Sequence, residues 1–269
     1  MVMSKAILID TTKCIGCRAC QVACKSWNDL KGGRATFSET MSNPRYLSSN
    51  QYTRIIFREI PLSDGGMGWY FISRRCNHCL DPACVSACPV AALVKLPSGP
   101  VVYDDERCIG CRYCMMACPF QIPKFQWESP VPLVRKCTFC ADRQAVGLAP
   151  NCTATCPTGT LLFGERAELL KEAHRRIGLA PDKYYPEVYG EQIAGGLSNL
   201  YLTSVSFQEL GLNQVGFRTD LGNTPQGLRG REWMSEVPLV AVAVGGLAVG
   251  LHYFIQRRAA VEAKEPKED

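Results

Sequence analysis

"CIGCRYCMMACP", Cys108 to Pro119, places four thiols at intervals of two, two and three residues and closes on a proline. Working outward, "CIGCRACQVAC" (Cys14, Cys17, Cys20, Cys24) repeats these intervals without the proline. Cys76, Cys79, Cys84 and Cys88 widen the middle interval to four residues and precede Pro89. Cys137, Cys140, Cys152 and Cys156 widen it to eleven and precede Pro157. The sixteen cysteines of this 269-residue chain fall into these four groups with none left over, an internal repeat that has to be read first.

Three chemistries use crowded thiols. Disulfides belong mainly to oxidising compartments and serve short domains that lack a core. Here Met1–Lys13 offers only a four-residue apolar run, Ala6 to Ile9, before Asp10, with no twin arginine. The chain is therefore expected to remain in the cytoplasm or to be exported on a partner's signal, and a disulfide framework is disfavoured. Structural zinc uses two CxxC knuckles separated by a longer stretch, a pattern the fourth group alone could satisfy. The first and third groups could not easily do so, because their third and fourth cysteines follow at once. Their spacing suits cubane clusters: a tight loop wraps three corners, and the three-residue step starts a helix that carries the fourth sulfur to a neighbouring cluster. Proline after that cysteine suits an early helix position. Sixteen thiols, none missing, predict four [4Fe–4S] clusters and no [3Fe–4S] cluster.

Composition excludes other classes. A net charge of +5 without a dense Lys/Arg run and interleaved aromatics argues against nucleic-acid binding. The three histidines are scattered, and no nucleophile–base pair or phosphate-cradling glycine loop is present, so no catalytic residue is expected. Trp27 and His78 lie beside cysteines, where packing or a hydrogen bond to sulfur is the expected role.

The organisation that follows is α+β. Residues 1–24 and 137–163 carry the outer thiol groups, and 76–136 the inner ones. Within the inserted segment 25–75, Gln51–Ile60 and Gly68–Cys76 read as β-strands joined by a turn at "SDGGMG". Gly99–Cys108 and Gly159–Gly164 read as short strands, and Glu165–Gly178 as a helix with a closing glycine. Residues 164–232 are expected to form an extended segment that contacts a partner.

Val237 to Ile255 contains no charged residue over nineteen positions. As a helix it would be about 28 Å long, close to the roughly 30 Å of a bilayer's hydrocarbon core. Trp233 and Tyr253 stand near its ends, as interfacial aromatics do. A transmembrane helix over 237–255 with a polar tail, 256–269, is therefore expected, and a buried core helix is the alternative. Gly246 and Gly250 form a GxxxG pair that would admit a second helix, and His252 lies within the span. Arg257, Arg258, Lys264 and Lys267 after the span slightly outweigh Arg218, Arg229 and Arg231 before it, which leans towards a cytoplasmic C-terminus and clusters on the periplasmic side.

The stretches "CIGCRACQVACKSWND", "CNHCLDPACVSACPV", "CIGCRYCMMACPFQIP", "KCTFCADR…CTATCPTG" and "GGLSNLYLTS" together resemble the four-cluster iron–sulfur (β) subunit of membrane-bound molybdo-oxidoreductases, most nearly that of respiratory formate dehydrogenase. The resemblance spans roughly residues 5–205 and includes the C-terminal span; an iron–sulfur subunit of a membrane hydrogenase shares that span. It implies two pseudo-symmetric ferredoxin-like units with exchanged ligands. Cys14, Cys17, Cys20 and Cys156 would hold cluster A, and Cys24, Cys137, Cys140 and Cys152 cluster B. Cys76, Cys79, Cys84 and Cys118 would hold cluster C, and Cys88, Cys108, Cys111 and Cys114 cluster D. It further implies a molybdenum- or tungsten-pterin catalytic partner oxidising formate and a membrane cytochrome b passing electrons to quinone, in a prokaryotic cytoplasmic membrane. The chain departs from the pattern where no proline follows Cys24 and where residues 25–50 align poorly. A zinc-rich interaction module and a freely diffusing polyferredoxin are the rival readings.

Overall fold

The computed structural model describes residues 4–33, 37, 40–62, 65–212 and 225–262, with side chains in the last stretch described for 240–258. The chain divides into two units, residues 1–228 and 229–269.

In the first unit the strands are β1 (Lys5–Asp10), β2 (Arg54–Pro61), β3 (Met67–Arg74), β4 (Leu93–Lys95), β5 (Val101–Tyr103), β6 (Lys124–Phe125), β7 (Val134–Arg135), β8 (Leu161–Glu165) and β9 (Asn199–Leu202). The helices are α1 (Ala19–Trp27), α2 (Ala83–Ser86), α3 (Tyr113–Ala117), α4 (Ala141–Ala145), α5 (Asn151–Ala154) and α6 (Arg166–Leu179). The apolar run "AILI" forms most of β1, the centre of a three-stranded sheet ordered β8-β1-β9, antiparallel to β8 and parallel to β9. Both faces of β1 are buried, which is why the run is continuous rather than alternating. Ala6 and Leu8 pack on Leu169 and Ala173 of α6, whereas Ile7 and Ile9 face a core that includes Cys20, Cys24, Cys137 and Cys152. One strand thus separates a conventional helix–sheet core from the thiol sites.

The remaining strands form three antiparallel pairs, β2-β3, β4-β5 and β6-β7. The β2-β3 hairpin is shorter than the expected Gln51–Ile60 and Gly68–Cys76. Gln51 bridges Ser48 in a turn instead of entering the ladder, and Arg75 and Cys76 leave it to begin a thiol loop. Ser63 and Asp64 of the expected turn lie outside the described residues. α6 falls within a residue of its expected bounds, and Glu165 before it pairs with Lys5 across the sheet.

The helices carrying cysteines are four or five residues long except α1, too short to persist alone. They are held in pairs. α1 packs on α5, where Asn151 Nδ2 donates to the Ala23 carbonyl at 2.9 Å, and α2 packs on α3 through Ala83, Ala87 and Ala117.

The described residues of the second unit belong to helix α7 (Pro225–Glu262). Its stretch Val240–Arg258 is long and apolar enough to cross a membrane, and none of it is buried. Residues 237–239 of the expected span belong to the same helix, and Gln256, Arg257 and Arg258 continue it beyond the apolar stretch. The His252 and Gln256 side chains hydrogen-bond at 3.1 Å, and a Cβ added at Gly246 or Gly250 would meet open space.

Candidate functional site

Each of the four CxxC loops turns on a left-handed residue in the position before its second cysteine. In the ferredoxin-spaced groups this is Gly16 (φ +67°) and Gly110 (φ +71°); in the other two it is His78 (φ +46°) and Phe139 (φ +60°). The turn aims the backbone N–H of that position at the first sulfur: Gly110 N–H donates to Cys108 Sγ and Phe139 N–H to Cys137 Sγ, both at 3.4 Å. A second turn follows each Cys-Pro step, with Ala91, Gln121 and Gly159 at positive φ donating back to the Cys88, Cys118 and Cys156 carbonyls. The first group has no proline, and α1 simply continues to Trp27. Asn28 Nδ2 closes that end, donating to the Cys24 carbonyl at 2.8 Å.

No disulfide joins any of the sixteen cysteines; Cys17 is exposed and the others are buried or half-buried. Helix pairing brings them together across groups. Cys14, Cys17, Cys20 and Cys156 line one cavity. Cys24, Cys137, Cys140 and Cys152 line a second, and Cys88, Cys108, Cys111 and Cys114 a third. Cys79 lies by Cys118, Cys76 and Cys84, so the last four thiols also share a site. The quartets follow one another in file: Cys20 lies by Cys152, Cys137 by Cys76, and Cys84 by Cys114.

Burial is the first cause of the thiols' electrostatics. It pushes Cys14 and Cys118 up to about 11 and Cys24 and Cys114 up to about 12, with neighbouring thiols adding to the rise in most cases. Cys79, Cys137, Cys84, Cys20 and Cys140 move the same way. At Cys156 burial is outweighed by N–H groups of Leu161, Thr158 and Thr160 and by the Thr158 hydroxyl, and the thiol falls below its usual range. Thiolates packed this closely need positive charge among them, which a polynuclear metal core supplies. Among the described residues no group of three or more His, Cys, Asp or Glu side chains converges on a point fit for one metal ion. Four thiols around the wall of a cavity fit a cubane better than zinc.

Buried polar groups surround the thiols. His78 is fully buried, packs against Phe139 at 4.6 Å and accepts at Nδ1 from the Val101 N–H at 2.9 Å. Burial, and then Lys136, Lys95 and Arg75, hold it neutral, so its proton sits on Nε2, which is buried with no partner. Thr53, on the wall beside Cys24, hydrogen-bonds that thiol through its hydroxyl. The unpartnered His78 Nε2 is what removal of a sulfur-rich group would leave. Trp27 turns away from sulfur: its Nε1 donates to Asp142 at 2.7 Å and Arg143 stacks on its ring at 4.5 Å, joining α1 to α4. Sequence reasoning missed Arg75, Lys95 and Lys136. The signal for the first was a pair of arginines closing an apolar strand directly before Cys76.

Comparison with known proteins agrees with this chemistry. Two models of the 4Fe-4S dicluster domain match residues 67–166 and 13–92. A protein of Nitratidesulfovibrio vulgaris Hildenborough is 39% identical over 98% of this chain and 70% of its own length. The hydrogenase-2 operon protein HybA of Escherichia coli O157:H7 is 37% identical over 79% of this chain and 74% of its own. The iron–sulfur subunit of the nitrate-inducible formate dehydrogenase of Escherichia coli K12 is 40% identical over 73% of this chain and 67% of its own.

Proposed function

The chain belongs to the family of 4Fe-4S electron-transfer subunits that includes formate dehydrogenase iron–sulfur subunits and HybA, and from that membership we propose that it carries four cubane clusters in file between a pterin-dependent catalytic subunit and a membrane cytochrome b. The observation that carries the reading is the gathering of thiols from distant groups around separate cavities.

Cys14, Cys17, Cys20 and Cys156 hold cluster A, and Cys24, Cys137, Cys140 and Cys152 cluster B. Cys76, Cys79, Cys84 and Cys118 hold cluster C, and Cys88, Cys108, Cys111 and Cys114 cluster D. The paired helices α1/α5 and α2/α3 support two pseudo-symmetric ferredoxin-like units within an α+β body: an outer unit of 1–24 with 137–163 and an inner unit of 76–136, with 25–75 inserted. Residues 164–232 add surface for the catalytic partner. Bound clusters supply one-electron chemistry. The protein's part is to fix their spacing, exclude water with β1 and the hairpin β2-β3, and donate backbone N–H groups to sulfur. Formate is the catalytic partner's substrate in this reading, with molybdenum or tungsten at its pterin. The similarity to HybA favours a hydrogenase partner as the second reading. α7 anchors the chain in a prokaryotic cytoplasmic membrane, with the cluster body on the periplasmic side.

Anaerobic purification in detergent tests this. About sixteen irons and as many acid-labile sulfides per chain are expected, with a pterin-containing subunit co-purifying. About four irons, or abundant zinc, would refute the four-cluster reading, and release from membranes by salt alone would refute the anchor.

A further inference from the structure

Arg75 is 1% exposed and carries its charge into the interior where β3 gives way to the loop of Cys76. Its Nη1 donates to Cys152 Sγ at 2.7 Å. Its Nη2 donates to Ser73 Oγ, which itself lies 3.6 Å from Cys20 Sγ, and its Nε is buried without a partner. The groups acting most strongly on the guanidinium are Cys152, Cys20, Tyr201 and Cys137, three of them thiols from two different quartets. Lys95 and Lys136 also reach the interior, but their ammonium groups are engaged by backbone carbonyls, those of His78 and Gly99 and those of Val101 and Cys137. Among the described residues Arg75 is the one cation that donates directly to a cysteine sulfur.

A guanidinium stays charged at any ordinary pH, and burying it requires negative charge close by. The thiolate-held sites on either side provide that charge. Resting on the four-cluster reading, we propose that Arg75 is a positioning and potential-setting residue shared by sites A and B. It orients the Cys152 sulfur and stabilises the extra electron at both sites, which raises their potentials relative to the same sites without it. The balance is simple: one electron arrives and one leaves, no bond forms or breaks, and the guanidinium keeps its protons. The charge acts in a low-dielectric interior with little screening, so its effect on a neighbouring electron is far larger than that of a surface arginine.

The test is redox-titrated EPR on the intact complex in detergent, with iron content read first. Wild-type protein with far fewer than about sixteen irons removes the four-cluster premise rather than this proposal. In fully loaded Arg75→Met, two of the four midpoint potentials should fall while the other two stay in place. Arg75→Lys, which keeps a charge but loses the fork that reaches both Cys152 and Ser73, should lower the same two by less. Four unmoved potentials in a loaded Arg75→Met would overturn the proposal. Should that variant fail to load, Arg75→Lys decides: a loaded protein with unmoved potentials, or loss of clusters in both variants, assigns Arg75 a structural role alone.

Discussion

Ser198 Oγ donates to the carbonyl of His78 at 2.8 Å, tying the loop of the second thiol group to a segment 120 residues downstream. Next to it Asn199 Nδ2 donates to the Cys76 carbonyl at 2.6 Å, and the Ser198 and Asn199 N–H groups both meet the Asn77 carbonyl. The loop that holds Cys76 and Cys79 is therefore held from beneath by the start of β9. Asn199→Ala would leave a buried carbonyl without its donor, at a cost of about 1–3 kcal/mol. The expected result is a lower thermal midpoint and selective loss of about four of some sixteen irons, read by calorimetry and iron analysis.

A second prediction concerns the cluster-free face of β1. The Asp10 carboxylate is fully buried, accepting from Arg176 Nη1 at 2.8 Å and from the Tyr184 hydroxyl at 3.0 Å. Removing one partner of a buried ion pair strands the other, so Asp10→Ala should destabilise the fold by about 3–5 kcal/mol. Glu172 on the same helix is held at about 2 by hydrogen bonds from Arg175 and Arg176. Its folded-state value is depressed, so its stabilisation is present above the unfolded carboxylate range and disappears as pH falls towards about 2. Arg175 is exposed and Glu172 partly so, which screens the interaction, and Glu172→Gln should cost less than about 1 kcal/mol. Urea midpoints at neutral and acid pH separate the two residues.

A third prediction distinguishes motif from site. Cys24 lies in the first thiol group but lines the cavity of Cys137, Cys140 and Cys152. Cys24→Ser should therefore perturb the EPR signal of that second site while the site of Cys14, Cys17 and Cys20 keeps its signal. Loss confined to the first site would show that the thiols ligate within their own motif.

What the sequence discloses follows from where the determinants lie. Ligand spacing is local, so every thiol and the C-terminal span were legible, as was α6. Which groups share a cavity depends on which short helices lie side by side, and that depends on contacts such as Asn151 to Ala23 across 128 residues. Spacing alone left this open, and only family resemblance supplied it. Two of the four loop turns advertise themselves with glycine, while His78 and Phe139 adopt the same conformation unannounced. β1 read merely as a short apolar run, because a strand buried on both faces shows no alternation.

The last prediction sets the two ferredoxin-spaced loops against each other. Gly16 and Gly110 occupy equivalent left-handed positions, and any L residue there meets a penalty of about 1–2 kcal/mol. Their surroundings differ. A Cβ at Gly16 would come within 3.0 Å of Phe71 and 3.1 Å of Phe57, two rings packed edge-on with centroids 5.0 Å apart. A Cβ at Gly110 would meet Phe125 no closer than 3.7 Å, an ordinary contact. Gly110→Ala should thus cost the backbone term alone and keep its cluster. Gly16→Ala must also displace one of two interlocked rings of the β2-β3 hairpin, and overpacking of this kind adds about 1–3 kcal/mol. Iron content after mild heating should fall first in Gly16→Ala. Equal behaviour of the two variants would mean that the hairpin yields freely and does not brace the first thiol loop.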